Sequence, residues 1–423
     1  MLVRGASPAT RGLVGLLAAI AAGAMLLAGC SGGNGSPIAS GTSGPTQGAG
    51  GSSGSEDGGE QEEPSEAPPQ PKPSPKAKIE IKPATGASEV ELDTPVTVSV
   101  IGGELTKVSV KDAKGETLAG QLNPTKSTWT STDGLSEEAT YQVAATAVDA
   151  EGLATSASNS FTTMDVSKSD VLETNIEPDG QTVGVGMPIV IKFSDDVENK
   201  AGVEKKLKVV TSKPVEGAWR WFGDEEVHWR PKSYWPAFTD VSVHVDLKGV
   251  PSGEGDWGIK NKVKHFSIGR SVIHKVNLSD HHLRSYVNGK LAKTIPVSGG
   301  KAGWRTRVGT KIILQKRTNL HFTDEQIDAD DNYDLTAAYG VRVTWSGEFL
   351  HSADWSRANH GVRNGSHGCV GMSTKNSRWI YNNSLVGDPV EVVGGGGSQM
   401  PVWGNGLGDW NMSWNKWQQA KAS

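Results

Sequence analysis

From about residue 78 to residue 393, apolar residues in this chain recur mainly at intervals of two. "PVTVSV" sets Val96, Val98 and Val100 on one face, and "MPIVIKF" does the same with Ile189, Ile191 and Phe193. "KVSVKD", "TYQVAATAVDAEG" and "VSVHVDLKGV" repeat the pattern. Side chains two apart share a face only in an extended strand, so this period commits the chain to sheet. Gly, Asp and Asn punctuate the runs where turns are needed. The expected fold class is mainly β.

Residues 78–165 hold about seven short strand patterns, the signature of an immunoglobulin-like sandwich, with no cysteine pair to bridge it. Residues 166–268 read as a second sandwich. Its aromatics Trp219, Trp221, Trp229 and Trp235 are expected in core or domain-interface packing. Residues 269–395 read as a mostly β domain with little helix. Asn288-Gly289 between two alternating runs is a strong hairpin signal. "VGTKIILQKR" and "YGVRVTWSGEFLHS" are further strands, and "STKNSRWIYNN" begins with a Ser/Thr cap before a short helical pattern. In the 396–423 tail, Trp410, Trp414 and Trp417 recur at helical spacing, which predicts a short helix packed on the body of the protein.

The region before residue 78 is of another kind. Arg4 and Arg11 precede an uncharged apolar run, Leu13 to Leu27, that ends in Leu27-Ala28-Gly29-Cys30. This is the layout of a secretory signal. The ending resembles the bacterial lipoprotein box, which implies removal of 1–30 and lipidation of Cys30. Residues 31–77 are Gly/Ser-rich and then Pro-rich, with too little apolar surface to offset the entropy of ordering. As a flexible coil they would reach roughly 35–40 Å. The expected location is extracytoplasmic, lipid-anchored to the outer face of the cell membrane. A net charge of −5 gives no sign of nucleic acid as a partner.

The chain has two cysteines. If Cys30 carries lipid, Cys369 has no partner for a disulfide, and a lone thiol in an oxidising compartment is a liability unless it is used. Cys369 sits in "NGSHGCVGMS", where glycines let backbone N–H groups turn inward as an oxyanion hole requires. An imidazole can take the thiol proton, and the candidates are His351, His360 and His367. His367 lies two positions from Cys369 and would point to the opposite side of an extended chain. His351 ends an alternating run eighteen residues upstream, where a strand end could hold it. A buried, inert cysteine and a metal site are the other readings of the same residues. The spacing matches no zinc pattern, and neither a metal nor an organic cofactor is expected.

"SHGCVGMS", with the histidine of "GEFLHSADW" ahead of it, closely resembles the L,D-transpeptidase (YkuD-type) family of bacterial cell-wall enzymes. The resemblance extends to "PVSGG", "VGT", "EVHWRPKSYWP" and "GLGDWNMSW". The order of parts is similar to that of actinobacterial lipoprotein members: two immunoglobulin-like domains, a catalytic domain and a C-terminal Trp-rich subdomain. It implies Cys369 as nucleophile, His351 as base, and the Ser352 carbonyl orienting the imidazole. It also implies His367 and Gly368 in the motif loop, with the Gly368 and Cys369 N–H groups in the oxyanion hole. Tyr333 falls over the substrate pocket, Ser346 and Gly347 on a substrate-contacting strand, and Trp355 at a pocket wall. Two positions depart from the family pattern: Gly371, where members often carry Asn or Arg, and Arg307, where they carry proline.

The implied reaction is 3→3 cross-linking of peptidoglycan, from a donor tetrapeptide stem to an acceptor amine, with release of D-alanine. Carbapenems would acylate the same cysteine. An L,D-carboxypeptidase and a catalytically inactive wall-binding lipoprotein stay open as alternatives.

Overall fold

The computed structural model describes residues 73–253, 255–327 and 333–419. The expected signal segment, Cys30 and nearly all of the expected linker lie outside them. Ala77, expected at the linker's end, is already buried in the first sandwich.

That sandwich has a four-stranded and a three-stranded sheet. The first runs in the order Lys78–Lys82, Thr97–Ile101, Thr128–Ser131, Gly120–Leu122, and the second Glu104–Asp112, Thr140–Val148, Ala154–Thr162. The period of two does what it predicts: Val96, Val98 and Val100 face inward with Trp129, Tyr141, Val143 and Phe161. Tyr141 stacks on Phe161 with ring centroids 5.3 Å apart, and its hydroxyl accepts from the Ser136 N–H (2.8 Å). This bond from a strand tyrosine back to a residue just upstream is the corner seen in immunoglobulin-type sandwiches.

The second sandwich pairs Gly217–Phe222, Glu226–Pro231, Ile189–Phe193 and Thr174–Glu177 in one sheet. The other holds Leu207–Thr211, Asp240–Asp246, Asn261–Ile268 and Thr182–Val183. Trp229 and Trp235 lie in its core, while Trp219 and Trp221 are half-buried against it. The two sandwiches are joined closely. Trp257, on a hairpin of the second, is buried in the core of the first. At the same junction Gly134 faces Gly249: a Cβ on Gly134 would lie 2.3 Å from the Lys248 carbonyl oxygen, so only glycine fits.

In the third region two sheets enclose one core. Strands β1 (Val272–Asn277), β2 (His282–Val287), β3 (Lys290–Pro296), β4 (Gly309–Ile312) and a last strand, Pro389–Val393, form one sheet. Its order is β3, β2, β1, Pro389–Val393, β4. The second sheet holds β5 (Gln315–Thr323), β6 (Asp334–Arg342), β7 (Phe349–Ser352) and β8 (Val370–Met372) in sequence order. The Asn288-Gly289 turn joins β2 to β3 with both residues at positive φ (48° and 78°), as a two-residue hairpin demands. The helix Thr374–Asn383 starts at Ser373, whose side chain accepts from the Asn376 N–H.

Behind this region the chain returns to the second sandwich. Trp410, Trp414 and Trp417 do not share one helix, contrary to their spacing. Trp410 lies on a separate 3-10 turn, Asp409–Asn411, and only Trp414–Gln419 is α-helical. The reason is Arg230, a buried guanidinium that all three indoles cover at 4.8, 5.3 and 4.5 Å from their ring centres. A straight helix would align the indoles in a stripe; the break between the two segments lets them surround the cation.

Candidate active site

The parallel pair β7–β8 sets the site. Its register places Leu350 beside Val370, His351 beside Gly371 and Ser352 beside Met372. Leu350, Val370 and Met372 are buried in the core, which holds both strands rigidly. A parallel pair needs a long crossover, and here residues 353–369 supply it, ending in the Ser366–Cys369 turn. His351 and Cys369 are therefore far apart in sequence, yet His351 lies on β7 and Cys369 directly precedes the strand that pairs with it.

His351 is 6% exposed. Its Nδ1 lies 2.8 Å from the Ser352 carbonyl oxygen. A carbonyl can only accept, so Nδ1 carries the hydrogen and Nε2 keeps its lone pair. Burial holds this imidazole down at about 4, against the bond to Ser352, with His360 adding to the fall. Phe322 and Trp355 flank the ring at centroid distances of 5.0 and 5.8 Å.

Cys369 is half-buried, with its Sγ donating to the Gly347 carbonyl (3.5 Å). Burial pushes the thiol up to about 12, against the pull of the Phe349 amide; Glu348 adds to the rise and Lys311 opposes it. Thiol and imidazole are thus both neutral at rest. The turn before Cys369 is closed by Ser366, whose hydroxyl donates to the Cys369 carbonyl (2.6 Å). The Gly368 N–H donates to the same Ser366 hydroxyl at 3.2 Å. Gly368 has φ +114°, which a side chain would not tolerate, and this aims the turn.

Two cavities meet at Cys369. The narrow one, about 300 Å³, is lined by Cys369, His351, Trp355, Tyr333 and Phe322. The wide one, about 770 Å³, is lined by Cys369, Trp304, Arg307, Ser346, Gly347 and Glu348 among others. Tyr333 and His367 border both cavities, their rings 5.3 Å apart. His367 also meets Trp304 edge-on at 5.2 Å. It therefore shapes the wall between the cavities, while His360 lines neither.

Ser346 and Gly347 line the wide cavity, but they sit on the turn between β6 and β7 and not on a strand. The run "VRVTWSGEFLHS" breaks there because Gly347, at φ +99°, reverses the chain. Gly371 has a packing reason of its own: a Cβ there would lie 3.1 Å from the Ala353 Cβ and 3.8 Å from His360 Nε2.

Sequence reasoning missed Lys311 and Glu348. Lys311 is 1% exposed and its Nζ lies 2.6 Å from Glu348 Oε2. A lysine directly before Ile312-Ile313-Leu314 was the available signal, since a charge beside an apolar run is buried only when paired. Among the described residues, no group of three or more His, Cys, Asp or Glu could hold a metal ion.

Residues 271–392 match the L,D-transpeptidase catalytic domain family, and residues 87–251 match a bacterial Ig domain family across both sandwiches. The chain is 34% identical over 350 residues to L,D-transpeptidase 2 of Mycobacterium tuberculosis (strain CDC 1551 / Oshkosh), covering 82% of this chain and 85% of that protein. It is 31% identical over 353 residues to L,D-transpeptidase 5 of Mycobacterium tuberculosis (strain ATCC 25618 / H37Rv), covering 82% and 77%. A solved structure of the L,D-transpeptidase LdtMt1 in complex with imipenem is 33% identical, covering 53% of this chain and 99% of its own, with a TM-score of 0.46. Similarity of this extent, over sandwiches and catalytic region alike, means that the chain belongs to the L,D-transpeptidase family.

Proposed function

We propose that this protein cross-links peptidoglycan by L,D-transpeptidation, with Cys369 as nucleophile and His351 as base. The observation that carries the reading is the fixed tautomer of His351. Its Nδ1–H is tied to the Ser352 carbonyl, so Nε2 is a proton acceptor in the same cavity as the Cys369 thiol.

The chemistry follows from two neutral partners. As the sulfur attacks the carbonyl of the third residue of a tetrapeptide stem, its proton passes to His351 Nε2. The S–C bond forms and the carbonyl oxygen becomes an oxyanion. The Cys369 N–H, on the attacking residue itself, is the main-chain donor assigned to it in this reading, and Gly368 can join by releasing Ser366. When the C–N bond breaks, the terminal D-alanine leaves with the proton held by His351. The acceptor amine then attacks the thioester, gives a proton to Nε2, and restores the thiol as the new amide forms. Tyr333, Trp355, Ser346 and Gly347 are the substrate contacts in this reading.

An extracytoplasmic place of action, with Cys30 as the lipid anchor, belongs to the same proposal. The sandwiches then act as a spacer between membrane and wall. The test is direct: Cys369→Ala should release no D-alanine from a disaccharide-tetrapeptide, and release at the wild-type rate would refute the assignment.

A further inference from the structure

The wide cavity carries a charge that the narrow one lacks. Among the described residues, no Arg, Lys, Asp or Glu lines the narrow cavity. Arg305, Arg307, Arg342 and Glu348 line the wide one. Arg305 donates to the Gly395 carbonyl, and Arg342 to those of Thr344 and Trp345. Arg307 is held differently. Its Nη1 reaches Ser346 Oγ at 3.2 Å and Glu348 Oε1 at 3.3 Å, and its backbone N–H donates to that same Oε1 at 3.0 Å. The other oxygen of Glu348 takes the 2.6 Å bond from Lys311. Burial lowers the Lys311 ammonium from its ordinary value, against the pull of Glu348, so Glu348 is shared between a buried amine and the Arg307 guanidinium. The Lys311 side chain is 1% exposed and that of Arg307 34%, so of the two it is the Arg307 guanidinium that faces the cavity.

The place of this charge matters. Ser346, which receives Arg307, is adjacent to Gly347, whose carbonyl receives the Cys369 thiol. Guanidinium and sulfur are thus held at neighbouring residues of one turn. In acyl transfer the attacked carbon is joined to a leaving amino acid whose carboxylate stands three bonds away. That carboxylate must lie beside the sulfur, and a guanidinium offers it a planar, always-charged fork.

We infer that Arg307 binds the terminal carboxylate of the donor peptide's leaving residue, and so makes this enzyme select donors with a free acid end. The inference rests on the acyl-transfer reading given above.

The test compares a tetrapeptide ending in D-alanine with the same peptide ending in D-alaninamide. Binding is measured by calorimetry on the full chain carrying Cys369→Ala, and kcat/KM of release on the chain with Cys369 intact. The acid should bind about 10- to 100-fold more tightly than the amide, the range for a hydrogen bond to a charged group. Arg307→Gln should bring the acid down to the affinity of the amide, with Arg307→Lys between. Iodoacetamide labelling of Cys369 should be unchanged in both variants. Equal affinity for acid and amide in the parent, or a preference that survives Arg307→Gln, would overturn the inference. So would equal weakening of both peptides, which is what a purely structural role through Glu348 produces. If no amino acid is released but the Arg307-dependent preference in binding holds, the subsite stands and the acyl-transfer reading falls.

Discussion

Protonation of His228 should set the strength with which the C-terminal segment is held to the second sandwich. His228 is 1% exposed and lies between two carboxylates, Asp409 Oδ1 and Glu226 Oε1, each 2.6 Å from a ring nitrogen. Burial opposes the imidazolium, but Asp409 and Glu226 outweigh it and raise the group from 6.5 to about 9. Each pKa unit is worth about 1.36 kcal/mol, so the charged pairing contributes about 3 kcal/mol. A raised folded-state pKa gives stability that is complete below pH 6.5 and is lost as pH rises through about 9. Denaturant unfolding followed by tryptophan fluorescence, at pH 6 and pH 9.5, should show that loss. His228→Gln should be less stable than wild type at pH 6 and approach it at pH 9.5. The comparison removes every other group that titrates in the window. Parallel pH curves for the two proteins would refute the reasoning, since they would mean that His228 is neutral in the fold.

Three further outcomes follow from the active site. With His351 held down at about 4 and Cys369 pushed up to about 12, D-alanine release should persist well below pH 6.5 and fall only toward pH 4. In the same protein iodoacetamide labelling should keep climbing above pH 9; a labelling midpoint near 8.5 would show an ordinary thiol. Gly371→Asn would place its new Cβ 3.1 Å from that of Ala353, which directly follows the strand that carries His351. It should cost about 1–3 kcal/mol by crowding and slow D-alanine release; thermal unfolding and kcat/KM would register both, and an unaffected variant would show that Ala353 yields freely.

Much of the site was legible because its parts are local. The Ser366–Cys369 motif needs a tight glycine turn, and the alternating run ending at His351 needs a strand, so each could be read from its own neighbours. What joined them was not local. Ser346-Gly347 read as strand because the flanking residues alternate, yet Gly347 reverses the chain there. Trp410, Trp414 and Trp417 read as one helix because their spacing fits a turn of 3.6, yet Arg230, about two hundred residues earlier, breaks that line.

By itself, then, the sequence determined that the chain is mostly strand, and it singled out Cys369 as the candidate nucleophile and His351 as its candidate base. A period of two, a rare cysteine and a glycine turn are properties of short segments. The tertiary structure alone decided the rest. Only the β7–β8 register aligns His351 with the strand that Cys369 leads into. Only the meeting of separate turns and strands gathers Arg305, Arg307 and Arg342 on one cavity and leaves the other without a charged side chain among the described residues. Those depend on which strands lie side by side, and burial energies summed over the whole core decide that.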